Sequence, residues 1–172
     1  MFEFAQWLEN TDVSLTIKTI TWIVPLVQSI HIITIGIVFV SLLTIAMRVL
    51  GWTRMDQAFS VVMARFAPWI RNGMVVLLLT GLTLVVGEPI RELMSLSFWL
   101  KMGLLAIGLW SAVSFSRRVR PLAALGTEPQ FSTATRSAAM LTVLLWLMII
   151  FLGRAIAYDV EVWGTLSLSP RA

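Results

Sequence analysis

Apolar residues collect in four long runs that short polar or charged stretches separate. The runs cover approximately residues 19–47, 69–86, 93–115 and 138–158. None of them alternates apolar and polar positions, so each predicts a helix and not a strand. About 20 mostly apolar residues suffice to cross a bilayer, and lipid offers no partner to unpaired backbone groups. We therefore predict an all-α polytopic membrane protein, with residues 1–172 forming one antiparallel bundle of four transmembrane helices.

The composition agrees with this pattern and narrows the chemistry. The chain is 58% hydrophobic and only 13% charged, whereas about a quarter of a soluble domain is charged. It has no cysteine, which excludes disulfides and thiolate metal sites. It contains no HExxH motif, no phosphate-binding loop and no complete Ser/His/Asp set. We therefore expect a protein that is not an enzyme on its own.

Charged residues are divided unequally between the two sides that four spans define. Seven arginines and two acidic residues follow spans one and three: Arg48, Arg54, Arg65, Arg117, Arg118, Arg120 and Arg136, with Asp56 and Glu128. Seven acidic residues and three basic ones lie on the other side: Glu3, Glu9, Asp12, Glu88, Glu92, Asp159 and Glu161, with Lys18, Arg91 and Arg171. The positive-inside rule predicts a multi-pass protein of the bacterial inner membrane with both termini periplasmic. It also explains the basic charge without nucleic acid.

Four ionisable residues fall within the apolar runs: His31, Arg71, Lys101 and Arg154. Such groups are costly at membrane depth and are candidates for function. His31, the only histidine, lies near the middle of the first span. Lys101 and Arg154 lie in the outer parts of the third and fourth spans, whereas Arg71 is near the inner face. We predict that His31, Lys101 and Arg154 converge in the outer half of the bundle.

Polar residues accompany this group at helical spacing. Gln28 is three residues before His31, and Thr80 and Thr83 share one side of the second helix. We predict a cofactor-binding site formed by Gln28, His31, Thr80, Thr83, Lys101 and Arg154. Haem b, a quinone or a lipid headgroup would suit it, with His31 as the only candidate metal ligand.

Purely structural explanations exist for the same residues. Lys101 and Arg154 lie near enough to the surface to extend into the headgroup region and pair with Glu88, Glu92 or Asp159. His31 can be a neutral histidine that bonds a threonine across a helix interface. Haem would also need an axial arrangement other than two histidines of this chain. Met94, Met102 and Met148 are candidate second ligands, although methionine commonly fills gaps in cores.

Four segments resemble a family of small bacterial four-helix membrane proteins whose function is uncharacterised. They are QSIHIITIG, AMRVLG, TGLTLVVGEP and FWLKMGLLAIG. The resemblance covers approximately residues Val24 to Gly108. Ala46 stands where that family often has an acidic residue before the arginine. The resemblance implies that the family positions are His31, Gly36, Arg48, Gly51, Thr80, Gly81 and Lys101.

The layout with a histidine in helix one and a lysine in helix three is also distantly similar to two other groups. These are the copper-resistance D domain and the HemJ-type membrane haem proteins. The HemJ-type proteins carry further histidines that this chain lacks, so the resemblance alone does not imply haem.

Three functions are compatible with the sequence. The first is a protein that holds haem b or quinone in the periplasmic half of the bundle for electron transfer. The second is a non-catalytic accessory or scaffold subunit that packs against a larger membrane complex. The third is a transporter that works as a homo-oligomer, because one four-helix bundle is narrow for a pathway.

Overall fold

Helices account for nearly all of the computed structural model, which describes residues 1–124 and 130–168. No strand occurs in these two ranges, which confirms the all-α prediction. Glu128 and Arg171, which enter the charge argument, lie outside them. The helices are α1 (Phe2–Glu9), α2 (Asp12–Thr19), α3 (Ile23–Leu50), α4 (Phe59–Gly87), α5 (Pro89–Leu93), α6 (Leu96–Ala124), α7 (Thr133–Ala155) and α8 (Asp159–Trp163), with 3-10 turns at Ile156–Tyr158 and Gly164–Leu166.

Four of these helices are long and apolar enough to cross a membrane, as the sequence pattern predicts. They are Ile23–Leu50, Phe59–Gly87, Leu96–Phe115 and Thr133–Leu166, the last of which includes the 3-10 turns and α8. The first predicted run divides at its start, because α2 ends at Thr19 and α3 begins at Ile23. Pro25 lies in the first turn of α3, where its missing N–H is least costly.

The second spanning helix begins at Phe59, ten residues before the predicted start at 69. Pro68 lies inside this helix, and α4 continues on both sides of it. The apolar side chains before the proline explain this continuity. Phe59 and Val62 are fully buried against Ile45 and Val49 of α3, and their burial offsets the backbone hydrogen bond that Pro68 removes.

The third helix starts after the predicted position, and the fourth starts before it. Leu93 ends α5, so α6 begins at Leu96 and not at 93. Ser132 precedes α7, and its hydroxyl accepts a hydrogen bond from the Thr135 N–H at 3.3 Å. This N-cap fixes the start of α7 at Thr133.

α3 is the central helix of the packing. It contacts α4 and α7, and α6 packs mainly against α7. The approach of α3 to α4 is closest at Gly73, where an added Cβ would overlap the side chain of Val38. Val38 is itself fully buried, so glycine at 73 lets the two helices meet.

The two ends of the molecule differ in structure. The capped end consists of α1, α2, α5 and α8. There Ala5 and Ser14 are fully buried, and Lys18 forms an ion pair with Glu9. The arginine end consists of residues 48–58 and 130–136. A buried apolar cluster of Ile45, Val49, Phe59 and Val62 adjoins it, and Phe59 packs edge to face on Phe131.

Candidate functional site

His31 and Thr80 face each other across the interface of α3 and α4. The His31 Nδ1 lies 2.7 Å from the Thr80 Oγ1. Gly81 of α4 also borders the imidazole ring of His31, because a Cβ added at Gly81 would lie 3.7 Å from the His31 Cε1. Both side chains are half-buried. The structure therefore brings together two of the six residues that the sequence assigns to the site.

The surrounding hydrogen bonds assign the protons of this pair. The Thr80 hydroxyl also lies 2.7 Å from the Val76 carbonyl of its own helix, and in the arrangement where it donates its proton to that carbonyl, its oxygen accepts the bond from His31. In the neutral ring Nδ1 then carries the proton, and Nε2 has a lone pair. Among the described residues no hydrogen-bond partner reaches Nε2. The imidazole is thus oriented on one side and available as a ligand or acceptor on the other.

Lys101 lies in the outer part of α6, about 8 Å along the helix from its first residue. Its chain runs against α7 at Gly153, where an added Cβ would be 3.6 Å from Nζ and 4.0 Å from Cδ. The side chain is half-buried. Within the described part of the chain its ammonium forms no hydrogen bond or ion pair. A partly buried cation without a partner is costly, so an anionic or oxygen-rich ligand would stabilise it.

Lys101 connects the histidine electrostatically with the capped end. Its charge acts on His31 on one side and on Glu92 of α5 on the other. Glu92 is only 8% exposed. Burial raises the pKa of the Glu92 carboxyl, while the charges of Arg91 and Lys101 oppose that rise. Lys101 is thus close enough for its charge to act on both His31 and Glu92, and Glu92 belongs to the capped end.

Asp159 organises the capped end, and the sequence pattern did not reveal it. Its carboxylate is 5% exposed and accepts hydrogen bonds from Ser95 Oγ at 2.7 Å, Ser97 N at 3.0 Å and Ser167 Oγ at 2.6 Å. The Leu96 N–H adds a fourth bond at 3.3 Å. A carboxylate at a helix N-terminus satisfies free N–H groups and opposes the positive end of the helix dipole. Asp159 therefore caps α6 from a distance of more than 60 residues along the chain.

The remaining predicted site residues have mainly local partners. The Thr83 hydroxyl donates to the Leu79 carbonyl of its own helix at 2.9 Å, and Gln28 is half-buried on α3. Arg154 is exposed and donates to the Tyr158 hydroxyl at 3.2 Å, with its guanidinium over the tyrosine ring. Arg71 is exposed beside Asn72. A role for Gln28, Thr83 and Arg154 in a cofactor site stays a prediction.

Metal binding is restricted by the types of side chain present. The described residues contain no group of three or more His, Cys, Asp or Glu side chains that could hold a metal ion. His31 is the only imidazole of the chain. His31 as a metal ligand, which the sequence predicts, would thus act as a single axial donor and not as part of a protein cage.

Comparison with known proteins gives no match: no protein-family model, no curated protein and no solved structure matches this chain. The resemblances to the bacterial four-helix family, the copper-resistance D domain and the HemJ-type proteins stay predictions. A functional proposal for this chain therefore depends on the geometry around His31, Thr80 and Lys101.

Proposed function

We propose that the chain is an inner-membrane protein whose four long helices form an antiparallel bundle. Large apolar side chains on the outward faces of all four helices support this placement. Ile32, Leu78, Trp110 and Phe151 are each more than 60% exposed. Monomeric soluble proteins rarely expose contiguous apolar surfaces of this kind, whereas lipid chains cover them without cost.

We propose further that the arginine end is cytoplasmic and the capped end periplasmic. Arg48, Arg54 and Arg136 belong to the arginine end. The capped end carries the acidic residues Glu9, Glu88 and Asp159. This distribution follows the positive-inside rule, and it supports the proposal that both chain termini are periplasmic.

Within that bundle, we propose that His31 and Lys101 hold haem b or a quinone in the periplasmic half. The observation that supports this function is the imidazole of His31, whose Nδ1 contacts the Thr80 hydroxyl and whose Nε2 has no hydrogen-bond partner among the described residues. The Nε2 lone pair can coordinate haem iron or accept a hydrogen bond from a quinol hydroxyl. Lys101 would balance the charge of a haem propionate or a quinone oxygen. A bound cofactor of either type would supply one-electron chemistry that the side chains lack.

A second function, an accessory subunit of a larger membrane complex, has one observation in its favour. The bond from His31 to Thr80 links two helices directly, and such a link can by itself explain a polar pair at membrane depth. In that case His31 serves the packing of α3 on α4 and binds nothing. A partner complex, a homo-oligomer or transport remains a prediction from the sequence.

The deciding experiment is a visible spectrum of the detergent-purified protein, oxidised and then reduced with dithionite, after expression with haem supplied. Extraction of the same sample into organic solvent and mass spectrometry then reveals bound quinone. We expect a Soret band with sharp reduced α and β bands, or one co-purified quinone per chain, and loss of that signal in His31→Ala.

Matched threonine variants sharpen the experiment. Thr80→Val removes the bond that orients the imidazole, so we expect a shifted or weakened cofactor signal. Thr142→Val is the control, because the Thr142 hydroxyl bonds only the Ala138 carbonyl of its own helix. A well-folded protein with neither haem nor quinone would refute cofactor binding and favour the accessory subunit.

A further inference from the structure

The short helix α1, at the capped end, exposes large aromatic side chains although it cannot cross a membrane. Its eight residues extend only about 12 Å, whereas the hydrocarbon core of a bilayer is about 30 Å thick. Phe4 and Trp7 are nevertheless 56% and 63% exposed. The exposure of these two side chains therefore needs an explanation other than a transmembrane span.

The side chains of α1 divide into three faces. Ala5 is fully buried and marks the face that packs on the protein, mainly on α5. Phe4 and Trp7 lie about 100° and 160° to one side of Ala5, and their rings stack with centroids 5.7 Å apart. The exposed polar side chains share the other side at helical spacing: Glu3, Gln6 and Asn10. α1 thus has a docked face between an apolar flank, Phe4 and Trp7, and a polar flank.

α1 is fixed to the rest of the capped end. Glu9, in its last turn, forms an ion pair with Lys18 of α2. Thr11 joins the two helices, because its hydroxyl donates to the Leu8 carbonyl at 2.7 Å and accepts a bond from the Ser14 N–H at 3.4 Å. The exposure of the apolar flank is therefore a property of a docked helix.

The contacts of α1 also determine its depth. α5 connects the end of α4 to the start of α6, so it lies where two of the long helices end. α1 packs on α5, and the neighbouring α2 meets the last residue of α4, where a Cβ added at Gly87 would lie 2.9 Å from the Ile17 Cγ2. In the proposed membrane placement, the ends of the long helices lie at the boundary between lipid and water, and α1 lies at that boundary with them.

Tryptophans mark the same level of the molecule. Trp22 immediately precedes α3 and is 62% exposed, and Trp99 is the fourth residue of α6 and is 41% exposed. The indole N–H of Trp99 donates to the Leu93 carbonyl at 3.0 Å. Tryptophan is enriched at membrane interfaces, where its apolar ring and its polar N–H are both accommodated. Trp7 belongs to this group by its position.

We propose that α1 is an interfacial helix whose apolar flank enters the lipid of the leaflet at the capped end, while its polar flank faces water. Amphipathic helices of this kind lie in the plane of the interface with their apolar side below the headgroups. The proposal rests on the proposed membrane placement of the bundle. It is independent of haem or quinone binding.

The charges of α1 restrict the lipid chemistry. The helix contains two glutamates and no lysine or arginine, so anionic headgroups do not attract it. Burial of the two aromatic rings is left as the cause of its lipid contact. Zwitterionic lipid such as phosphatidylcholine is therefore a sufficient partner.

Single-cysteine labelling tests the proposal, because the natural chain has no cysteine. The full-length variants Phe4→Cys and Gln6→Cys carry a nitroxide on the apolar and the polar flank of the same helix, and each is reconstituted into phosphatidylcholine vesicles. Electron paramagnetic resonance measures how accessible each label is to molecular oxygen, which concentrates in lipid, and to a nickel chelate, which stays in water. We expect the ratio of oxygen to nickel accessibility at position 4 to be several times that at position 6.

A third variant, Phe151→Cys, separates this proposal from the membrane placement, because Phe151 is 71% exposed on α7. A high ratio at Phe151 with equal ratios at positions 4 and 6 would overturn the interfacial helix alone. A low ratio at Phe151 would overturn the placement itself.

Other occupants of the apolar flank give different spectra. Dipolar broadening between Phe4→Cys labels would assign the flank to a second copy of the chain and overturn the lipid contact. A label that is open to water in vesicles but immobilised in native membranes would assign it to another protein, with the same consequence. We expect the ratio at position 4 to be unchanged when part of the phosphatidylcholine is replaced by phosphatidylglycerol. Lipid exposure only in the presence of phosphatidylglycerol would overturn burial of the aromatic rings as its cause.

Discussion

The two ends of the molecule are held together in different ways. At the capped end, the carboxylate of Asp159 receives four hydrogen bonds, and the serines that donate to it are fully or largely buried. At the arginine end, the Gln57 Oε1 is buried without a partner beside a cavity of about 630 Å³. Buried polar groups are normally satisfied by the protein itself. The carboxylate of Asp159 is satisfied by several donors, but each end still holds a buried side-chain atom with no hydrogen-bond partner among the described residues: the Ser14 Oγ at the capped end and the Gln57 Oε1 at the arginine end. The comparison shows that one well-satisfied carboxylate joins the helices of the capped end, whereas apolar packing around Phe59 joins those of the arginine end.

This contrast extends into the interior. Below the capped end lie two groups that have no hydrogen-bond partner among the described residues, the His31 Nε2 and the Lys101 ammonium. The hydrogen-bonded residues around Asp159 limit the entry of water to such groups. Exclusion of water strengthens any electrostatic interaction that these groups make. The proposed cofactor site therefore depends on the integrity of an end that does not touch the cofactor.

Replacing Asp159 by Ala should have the largest effect on stability. The change leaves the Ser95 and Ser167 hydroxyls and two N–H groups of α6 without their acceptor, and we expect the free energy of unfolding to fall by about 2–4 kcal/mol. Thermal unfolding in detergent measures the change. Glu161→Gln, an exposed site two residues later, is the control and should shift stability by less than about 0.5 kcal/mol. Equal stability of the two variants would show that the capped end is not held by this carboxylate.

Gly73→Ala tests the seam of α3 and α4 that joins the two ends. The added Cβ meets the buried side chain of Val38, and overpacking of this kind costs about 1–3 kcal/mol, less the helix-propensity gain of up to about 1 kcal/mol. Gly36→Ala is the matched control, because a Cβ there has no atom within 4 Å. We expect the melting temperature to fall for Gly73→Ala and to stay or rise for Gly36→Ala. The reverse order would contradict the close approach.

Thr80→Val should lower the free energy of unfolding by only about 1 kcal/mol, the value of one hydrogen bond. Its effect on a bound cofactor should exceed its effect on stability, because the change releases the imidazole of His31 from its orientation. Thermal melts and cofactor occupancy, measured on one preparation, separate the two effects. A large loss of stability with an unchanged cofactor signal would instead assign the pair to helix packing.

Glu92→Gln should give the smallest effect, and one that depends on pH. Burial raises the pKa of Glu92, so the folded protein holds this proton more tightly than the unfolded chain does. The resulting stabilisation is complete at acidic pH and is lost as the pH rises from the ordinary carboxyl pKa, about 4.3, through the raised one. Melting temperatures between about pH 4 and pH 8 should show the variant gaining on the native protein as the pH rises. A native protein that gains on the variant over this range would contradict the raised pKa.

The periodicity and length of the apolar runs were sufficient to predict the four long helices. A helix that crosses a membrane has to form its backbone hydrogen bonds internally and expose an apolar surface to lipid. The true start of α4 could not be predicted, since the burial of Phe59 against α3 decides whether the helix continues through Pro68. The start of α4 is therefore determined by tertiary packing and not by the local sequence. The structure shows a contact between His31 and Thr80, and each residue is a polar side chain on an apolar helix with few other possible partners. The cofactor site that the sequence predicts around them stays a prediction.

Contacts between residues far apart along the chain were beyond the sequence pattern. Ser95 and Ser97 precede and open α6 and are typical of helix starts, but nothing local indicates that Asp159 is their partner. Gly153 likewise has no local sign that it accommodates Lys101. Both contacts depend on how α6 and α7 are aligned, and alignment is decided by packing over their whole length.

The cap on α6 also sets an order of events during synthesis. The chain emerges from its N-terminus, so α6 is made and inserted well before Asp159 exists. In the proposed topology, the start of α6 keeps free N–H groups until α7 has crossed the membrane and carried Asp159 to the same side as Ser95. A fourth helix that fails to cross would leave that carboxylate on the wrong face of the bilayer and α6 unfinished. One hydrogen-bonded aspartate thus couples the completion of the third helix to the correct insertion of the fourth.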